Sequence, residues 1–363
     1  MVDCLFAFDM SKKTYTSIGG QAVMEGVMMR SPHFIALALR KPNQKIWIRS
    51  YRHVSWGERW PVFKRPIIRG VAGLLDSLIQ GMKALGVSAE ILSESIDTDQ
   101  SIVANTPESN KLSSSAIAVS MAVALLMGIG LFVALPHVLA LFLTKAVGLG
   151  SSLDSISFHA VDGVIKMFIL LSYIYLIGKI PDIKRVFQYH GAEHKSIYTF
   201  EKGKALTVDE ARPFTTLHPR CGTSFLLFLV AISVLVFSIV IPILALDKLT
   251  QYTVVNHLIV IVIKTFLMMP VAGIAYEFIR ACAIRMDSWL TKILIWPGLT
   301  LQNLTTKEPD DGQLEVALAS LRRVLDLEKQ LEAKTESNFD DFEIVSLEEI
   351  PHATANVAEF AEA

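Results

Sequence analysis

The residues whose types and spacing best suit chemistry lie in Gln188-Tyr189-His190-Gly191-Ala192-Glu193-His194-Lys195-Ser196. In a helix, positions i, i+3 and i+4 share one face, so His190, Glu193 and His194 would converge. Two imidazoles one turn apart can each give a ring nitrogen to Zn²⁺, and the carboxylate between them can join as a ligand or act as general base toward water. His-x-x-Glu-His is also the inverted-zincin pattern, in which the glutamate is the base. The bland alternative is a set of satisfied or solvated side chains at a membrane boundary. Gly191 counts against the helix, because glycine in a helix interior costs about 1 kcal/mol relative to alanine.

Three further places hold candidate partners. In Leu217-His218-Pro219-Arg220-Cys221-Gly222-Thr223-Ser224, His218 and Cys221 are the other common zinc donors or simply part of a turn that enters a helix. Glu25, in the glycine- and methionine-rich stretch from Ile18 to Pro32, is either a base or ligand delivered from outside the helices, or an exposed turn residue. Glu277, at the edge of an apolar run, either completes the metal set or pairs with Arg280 at i+3. A cysteine phosphatase is excluded, because the Cys-x₅-Arg loop fails at Leu227, and neither a phosphate loop nor a Gly-x-Ser-x-Gly elbow is present. Cys4, Cys221 and Cys282 are far apart, which indicates neither a disulfide framework nor a cysteine-rich zinc site.

The elements that would position these residues are set by hydropathy. With 52% hydrophobic and 19% charged residues and a mean hydropathy of +0.44, the chain is too apolar for an ordinary soluble domain. The net charge of -1 gives no footprint for nucleic acid. Runs at Ala116–Leu135, Val161–Ile180, Ser224–Leu246 and His257–Phe278 each approach the roughly 20 residues needed to cross a bilayer. The shorter stretch 136–149 reads as re-entrant or interfacial. Segment 179–222 carries eight lysines and arginines, while the flanking loops across the membrane carry only Lys145 and Lys248. The positive-inside rule makes that segment cytoplasmic, with both termini on the same side of the cell (inner) membrane.

Around this bundle, Ile35–Leu39 and Ile46–Tyr51 read as a hairpin about Lys41-Pro42-Asn43-Gln44. Pro66 opens an amphipathic helix that lies in the membrane interface or packs on the bundle, and 96–115 reads as a polar linker. Segment 281–296 has the tryptophans and cations of an interfacial helix, and Leu314–Leu327 is a soluble amphipathic helix. From Glu336 to Glu349 there are six acidic residues and no basic one, which reads as a mobile tail. The expected organisation is therefore mainly α: an N-terminal segment 1–65 with the β hairpin, an amphipathic helix and linker 66–115, a transmembrane and interfacial bundle 116–300 with cytoplasmic loop 179–223, a cytoplasmic loop and helix 301–335, and an acidic tail 336–363. His33 and His53 are assigned to structure. His137, His159 and His257 lie toward the opposite face and are discounted, and Lys166 lies near the far end of its span.

The blocks Gly19–Arg30, Tyr189–Lys195, His218–Ser224 and Thr305-Thr306-Lys307-Glu308-Pro309 together resemble the YqhQ-like family of uncharacterised bacterial membrane proteins, from about residue 17 to about 325. The resemblance implies a multi-pass membrane protein and a metal-dependent enzyme with no assigned substrate. The expectation is a metal-dependent hydrolase at the cytoplasmic membrane face. His190 and His194 would hold a divalent metal, zinc by donor type, with His218, Cys221, Glu277 or Glu25 as further candidates and Glu193 as base or ligand. Its substrate would be a protein or a lipid of the bilayer. The alternative is a non-enzymatic membrane protein: a transporter, an assembly factor or a metal-sensing scaffold.

Overall fold

The structure is a computed structural model that describes residues 18–99, 114–148, 155–244, 249–285, 288–335 and 337–350. It begins with an antiparallel meander of β1 (Gly19–Val23), β2 (Gly26–Arg30), β3 (Phe34–Arg40) and β4 (Ile46–Arg52). The β3–β4 hairpin turns at the expected Pro-Asn site, in the register Leu39↔Trp47 and Ala38↔Ile48. The sheet is larger than that hairpin. The glycine- and methionine-rich stretch forms β1 and β2, which turn at Met24 and Glu25, with Glu25 in the left-handed region at φ 53°.

β3 is buried on both sides, which explains its unbroken apolar run. Its Ile35, Leu37 and Leu39 face Ala84, Val87 and Ile91 of the long helix that follows. Its Phe34, Ala36 and Ala38 face the C-terminal helix, among Leu314, Ala317, Leu321 and Val324.

After the single turn α1 (Trp56–Arg59), helix α2 (Ile68–Asp99) covers the sheet with its second half. Its start lies along a later helix, where Gly70 meets Tyr276 and Ile67 meets Gly273. Of the expected linker, 96–99 are the end of α2, and 100–113 lie outside the described residues.

α3 (Ser114–Ile129) and α4 (Leu135–Val147) are joined by a π-helical turn at Gly130–Ala134. The stretch 136–149, expected to be re-entrant or interfacial, instead continues the first span through Val147. Pro136 cannot donate to the preceding turn, and the widened π turn directly before it absorbs that loss. Then follow α5 (Ile156–Ile177), α6 (Pro181–Glu201), the short α7 (Val208–Ala211), α8 (Gly222–Leu244), α9 (Thr253–Ile284), α10 (Trp289–Thr305) and α11 (Asp311–Glu332).

Among the described residues, four helical stretches are long and apolar enough to cross a membrane: Ala122–Val147, Ile156–Ile177, Gly222–Leu244 and Thr253–Cys282. Between 22% and 28% of each apolar window is buried, so most of it is apolar surface of a size that water disfavours. The fold is thus mainly helical, with four candidate membrane spans and a small antiparallel sheet.

α11 is the spine of the other half of the molecule. Its N-terminus is closed by a capping box between Asp310 and Gln313, and it lies between the sheet and α6. The acidic C-terminal segment, expected to be mobile, instead supplies β5 (Phe342–Ile344), which pairs with the edge of β4. Its charges find partners there: Lys41 binds Glu343 at 2.7 Å and Arg49 binds Asp341 at 2.6 Å. Residues 351–363 lie outside the described residues.

Candidate metal centre

α6 leaves the end of the candidate span α5 and runs into the layer formed by the sheet and α11. Pro181 stands in its first turn, where a missing N–H costs nothing, with Asp182 beside it to meet the positive end of the helix. The His-x-x-Glu-His segment is therefore helical despite Gly191. A Cβ at Gly191 would stand 2.1 Å from the carbonyl oxygen of Lys307, whose N–H donates to the Phe187 carbonyl at 2.9 Å. Close approach of backbones, not helix propensity, selects glycine here.

A prediction follows with a sign that propensity alone would reverse. Gly191→Ala should lower the melting temperature of the purified protein, at a cost of about 1–3 kcal/mol for overpacking. An increase in melting temperature would contradict the packing.

His190 and His194 are held in the same way. A carbonyl oxygen only accepts, so His190 Nδ1–H donates to Thr305 O at 2.9 Å and His194 Nδ1–H to Thr216 O at 2.5 Å. Both Nε2 atoms are thereby left with lone pairs, which is how metal-binding histidines are oriented by their surroundings. His190 Nε2 lies 3.2 Å from Cys221 Sγ. His194 Nε2 is buried without a well-formed hydrogen bond, and burial lowers the pKa of its ring.

Cys221 precedes α8, and its sulfur accepts the Thr223 N–H at 3.4 Å. Burial opposes ionisation of the thiol, but His194 and Thr223 together hold it below its ordinary value.

The ligand atoms of His190, His194 and Cys221 lie within 4.8 Å of one another. Tetrahedral ligation by two imidazoles and a thiolate places such atoms about 3.3–3.6 Å apart, so small side-chain movements suffice to close on an ion. A buried nitrogen without a well-formed hydrogen bond beside an acidified thiol is a donor set that fits a borderline-soft divalent cation.

The other candidates are not brought into this set. Glu193 flanks it: its carboxyl lies against Gly20, near the Gly20 and Ala22 backbone amides of β1, and its Oε2 is buried without a hydrogen-bond partner. Burial pushes it up to about 7 against the opposing pull of His190 and those amides. His218 packs beside His194, ring centroids 5.6 Å apart, with both nitrogens engaged. Its Nδ1 accepts the Arg220 N–H at 3.3 Å and its Nε2 lies 3.4 Å from Glu201. Burial pushes the His218 ring down to about 4.

Glu25 is bound by the Arg185 guanidinium and by the Tyr189 hydroxyl at 3.2 Å, one turn earlier on α6. Glu277 accepts a bidentate pair from Arg69 of α2, at 2.5 and 2.6 Å, not from Arg280. Glu277→Gln should accordingly leave metal content unchanged and loosen the α2–α9 contact. Metal analysis of that variant checks this.

One contributor has no sequence signal at all. Gln302 of α10, fully buried, accepts the His218 N–H at 2.7 Å and donates to the His218 carbonyl at 2.8 Å and to Ser224 at 2.9 Å. It fixes the turn that carries Cys221 against α10. Only tertiary contact gives that glutamine its role.

Comparison with known proteins places this arrangement in a family. The model of the family described as "Protein of unknown function (DUF1385)" matches residues 65–327. The chain belongs to that family. DUF1385 thus spans α2 to α11 and all three residues of the cluster, while β1 to β4 precede the matched region. The chain is also similar to "Uncharacterized protein YqhQ" of Bacillus subtilis (strain 168), 34% identical over 332 residues, which are 91% of this chain and 98% of the relative. No solved structure matches the chain.

Proposed function

We propose that this protein is a metal-dependent hydrolase of the inner membrane, with zinc held by His190, His194 and Cys221 at the cytoplasmic end of the spans. The observation that carries the reading is the pair of Nδ1–H bonds to backbone carbonyls, which aims both Nε2 atoms at one thiol. Three protein ligands leave a fourth position for water or substrate, the arrangement of catalytic rather than structural zinc. When bound, the ion supplies a Lewis acid for a carbonyl or phosphoryl oxygen and makes water a nucleophile near neutral pH.

Glu193 is the base of this reading. It flanks the cluster without joining it, and its carboxyl is packed against Gly20 of β1 with one oxygen unpartnered. The basic segment 179–222 supports the cytoplasmic side. The position of the cluster, where α6 leaves one candidate span and α8 begins another, supports a substrate drawn from the bilayer, a lipid ester or phosphoester. Nucleic acid is not a partner in this reading.

Purified wild-type protein should carry a divalent ion. His190→Ala should lose it, and Glu193→Gln should keep it while losing hydrolysis of ester, amide and phosphoester probes. A metal-free preparation that is folded and active in cells would sink the proposal, and loss of the ion in Glu193→Gln would make Glu193 a ligand instead.

One observation favours a second reading. His190 Nε2 at 3.2 Å from Cys221 Sγ is also the geometry of a histidine-activated thiol nucleophile. In that case activity would survive chelation and disappear on alkylation of Cys221.

A further inference from the structure

The candidate spans hold a second polar cluster that the metal reading does not use. Asp162 and Lys166 of α5, Lys264 of α9 and His137 of α4 are exposed by 2%, 4%, 0% and 1%. Asp162 sits six residues from the start of α5, about 9 Å along its axis, whereas the metal cluster follows the other end of that helix. Asp162 Oδ2 accepts from Lys264 at 2.8 Å and from Lys166 at 3.3 Å. Two ammonium groups thus share one carboxylate. That leaves an excess positive charge in a low-dielectric interior, where an unbalanced charge is costly and marks function.

Among the described residues, the charges around Lys264 are few. α4 contributes His137, α5 contributes Asp162 and Lys166 and also carries His159, and α9 itself contributes His257. α8 has no charged residue and meets the lysines with Phe237, 5.2 and 5.5 Å from the two ammonium groups. The excess is removed most simply if Lys264 gives up a proton.

The polarity of the hydrogen bonds shows where that proton goes. An ammonium only donates, so Lys264 Nζ, 3.2 Å from His137 Nδ1, makes that nitrogen an acceptor and puts the His137 proton on Nε2. His137 Nε2 lies 3.0 Å from His257 Nδ1, which therefore accepts and leaves the His257 proton on Nε2. His257 is half-buried in the second turn of α9, a helix that follows the exposed Gln251 and Tyr252.

We propose that Lys264 is a proton-exchange site of the helical bundle, served from the face opposite the metal cluster through His137 and His257. In one transfer, a Lys264 N–H bond breaks as His137 Nδ1–H forms, His137 Nε2–H breaks as His257 Nδ1–H forms, and His257 releases its Nε2 proton to water. Both imidazoles end neutral in their other tautomers. Lys264 becomes an amine, and the cluster is left as a neutral Asp162–Lys166 pair. The reverse sequence recharges it. Beyond Lys166, α5 continues inward with Leu170 and Ile174, so the route ends at the cluster and is a site, not a channel. The inference needs the four helices to span a membrane and is independent of the metal.

The test uses the full chain in lipid nanodiscs with ¹⁵N-labelled lysine, the Lys264 signal being the one absent from Lys264→Gln. In His137→Phe, exchange of the Lys264 protons with water should slow on the order of tenfold or more, because it must then wait for local opening of the bundle. His257→Phe, at a half-buried position, should slow it likewise and serves if the first variant does not fold. Metal content should be unchanged in both, which separates failure here from failure of the hydrolase reading. Exchange rates equal to wild type in the histidine variants would overturn the proposal.

Discussion

Replacing His194 by glutamine is expected to lower zinc affinity by more than about 100-fold, since loss of an outer-shell partner alone costs about 10–100-fold. The two nitrogens of the ring have separate roles. Nδ1–H is committed to Thr216 O, and Nε2 is buried with no well-formed hydrogen bond. In the metal-free protein the variant removes an unsatisfied acceptor but also the Nδ1–H bond to Thr216 O, so a stability loss of about 1–3 kcal/mol is expected. In the presence of zinc the two proteins should separate further, because a ligand that binds only the native state stabilises it by RT ln(1 + [L]/Kd). Thermal unfolding with and without zinc reads both effects. An equal zinc-dependent rise in wild type and His194→Gln would place the metal elsewhere.

Truncation after Thr335 is expected to unfold the sheet layer while leaving the four apolar candidate spans folded. The removed segment buries Ile344, Leu347 and Ile350, exposed by 3%, 6% and 1%, in the core shared with Leu321 and Val324. At roughly 1.5–3 kcal/mol for each fully buried aliphatic side chain, the loss is on the order of several kcal/mol. It also strips a carbonyl from Arg322, whose buried guanidinium donates to Leu347 O at 2.9 Å and to Leu206 O at 2.5 and 3.0 Å. Partners removed from a buried charge leave their cost behind. Limited proteolysis of 18–60 in membranes should become fast in the truncated protein. Unchanged protection would show that β5 is dispensable.

The sequence showed best what depends on periodicity and local spacing. The apolar runs lie on helices long enough to cross a membrane, the Pro-Asn turn joins β3 to β4, and His190 and His194 share a helical face, all from patterns within a few residues. The continuation of the first span past Pro136 was obscured by the proline, because its repair lies in the geometry of the preceding turn. The β5 strand was hidden by its charges, which read as solvated until Lys41 and Arg49 were placed opposite them. Gly191 argued against a helix until the Lys307 carbonyl stood against it. Within the site, Cys221 could be named, but its choice over His218, Glu25 and Glu277 depends on Gln302, Glu201, Arg185 and Arg69, partners far away in sequence. The ionisable cluster was dispersed for the same reason: His137, Asp162 and Lys264 sit in three separate apolar runs, and only the packing of α4, α5 and α9 makes them neighbours.

The central claim is that His190, His194 and Cys221 form one metal centre, and X-ray absorption at the zinc edge of the purified protein tests it most directly. The account predicts a first shell with one sulfur at about 2.3 Å and nitrogen or oxygen ligands at about 2.0–2.1 Å, with the sulfur contribution absent in Cys221→Ser. A zinc shell of oxygens alone, or a sulfur contribution that persists in Cys221→Ser, would contradict it.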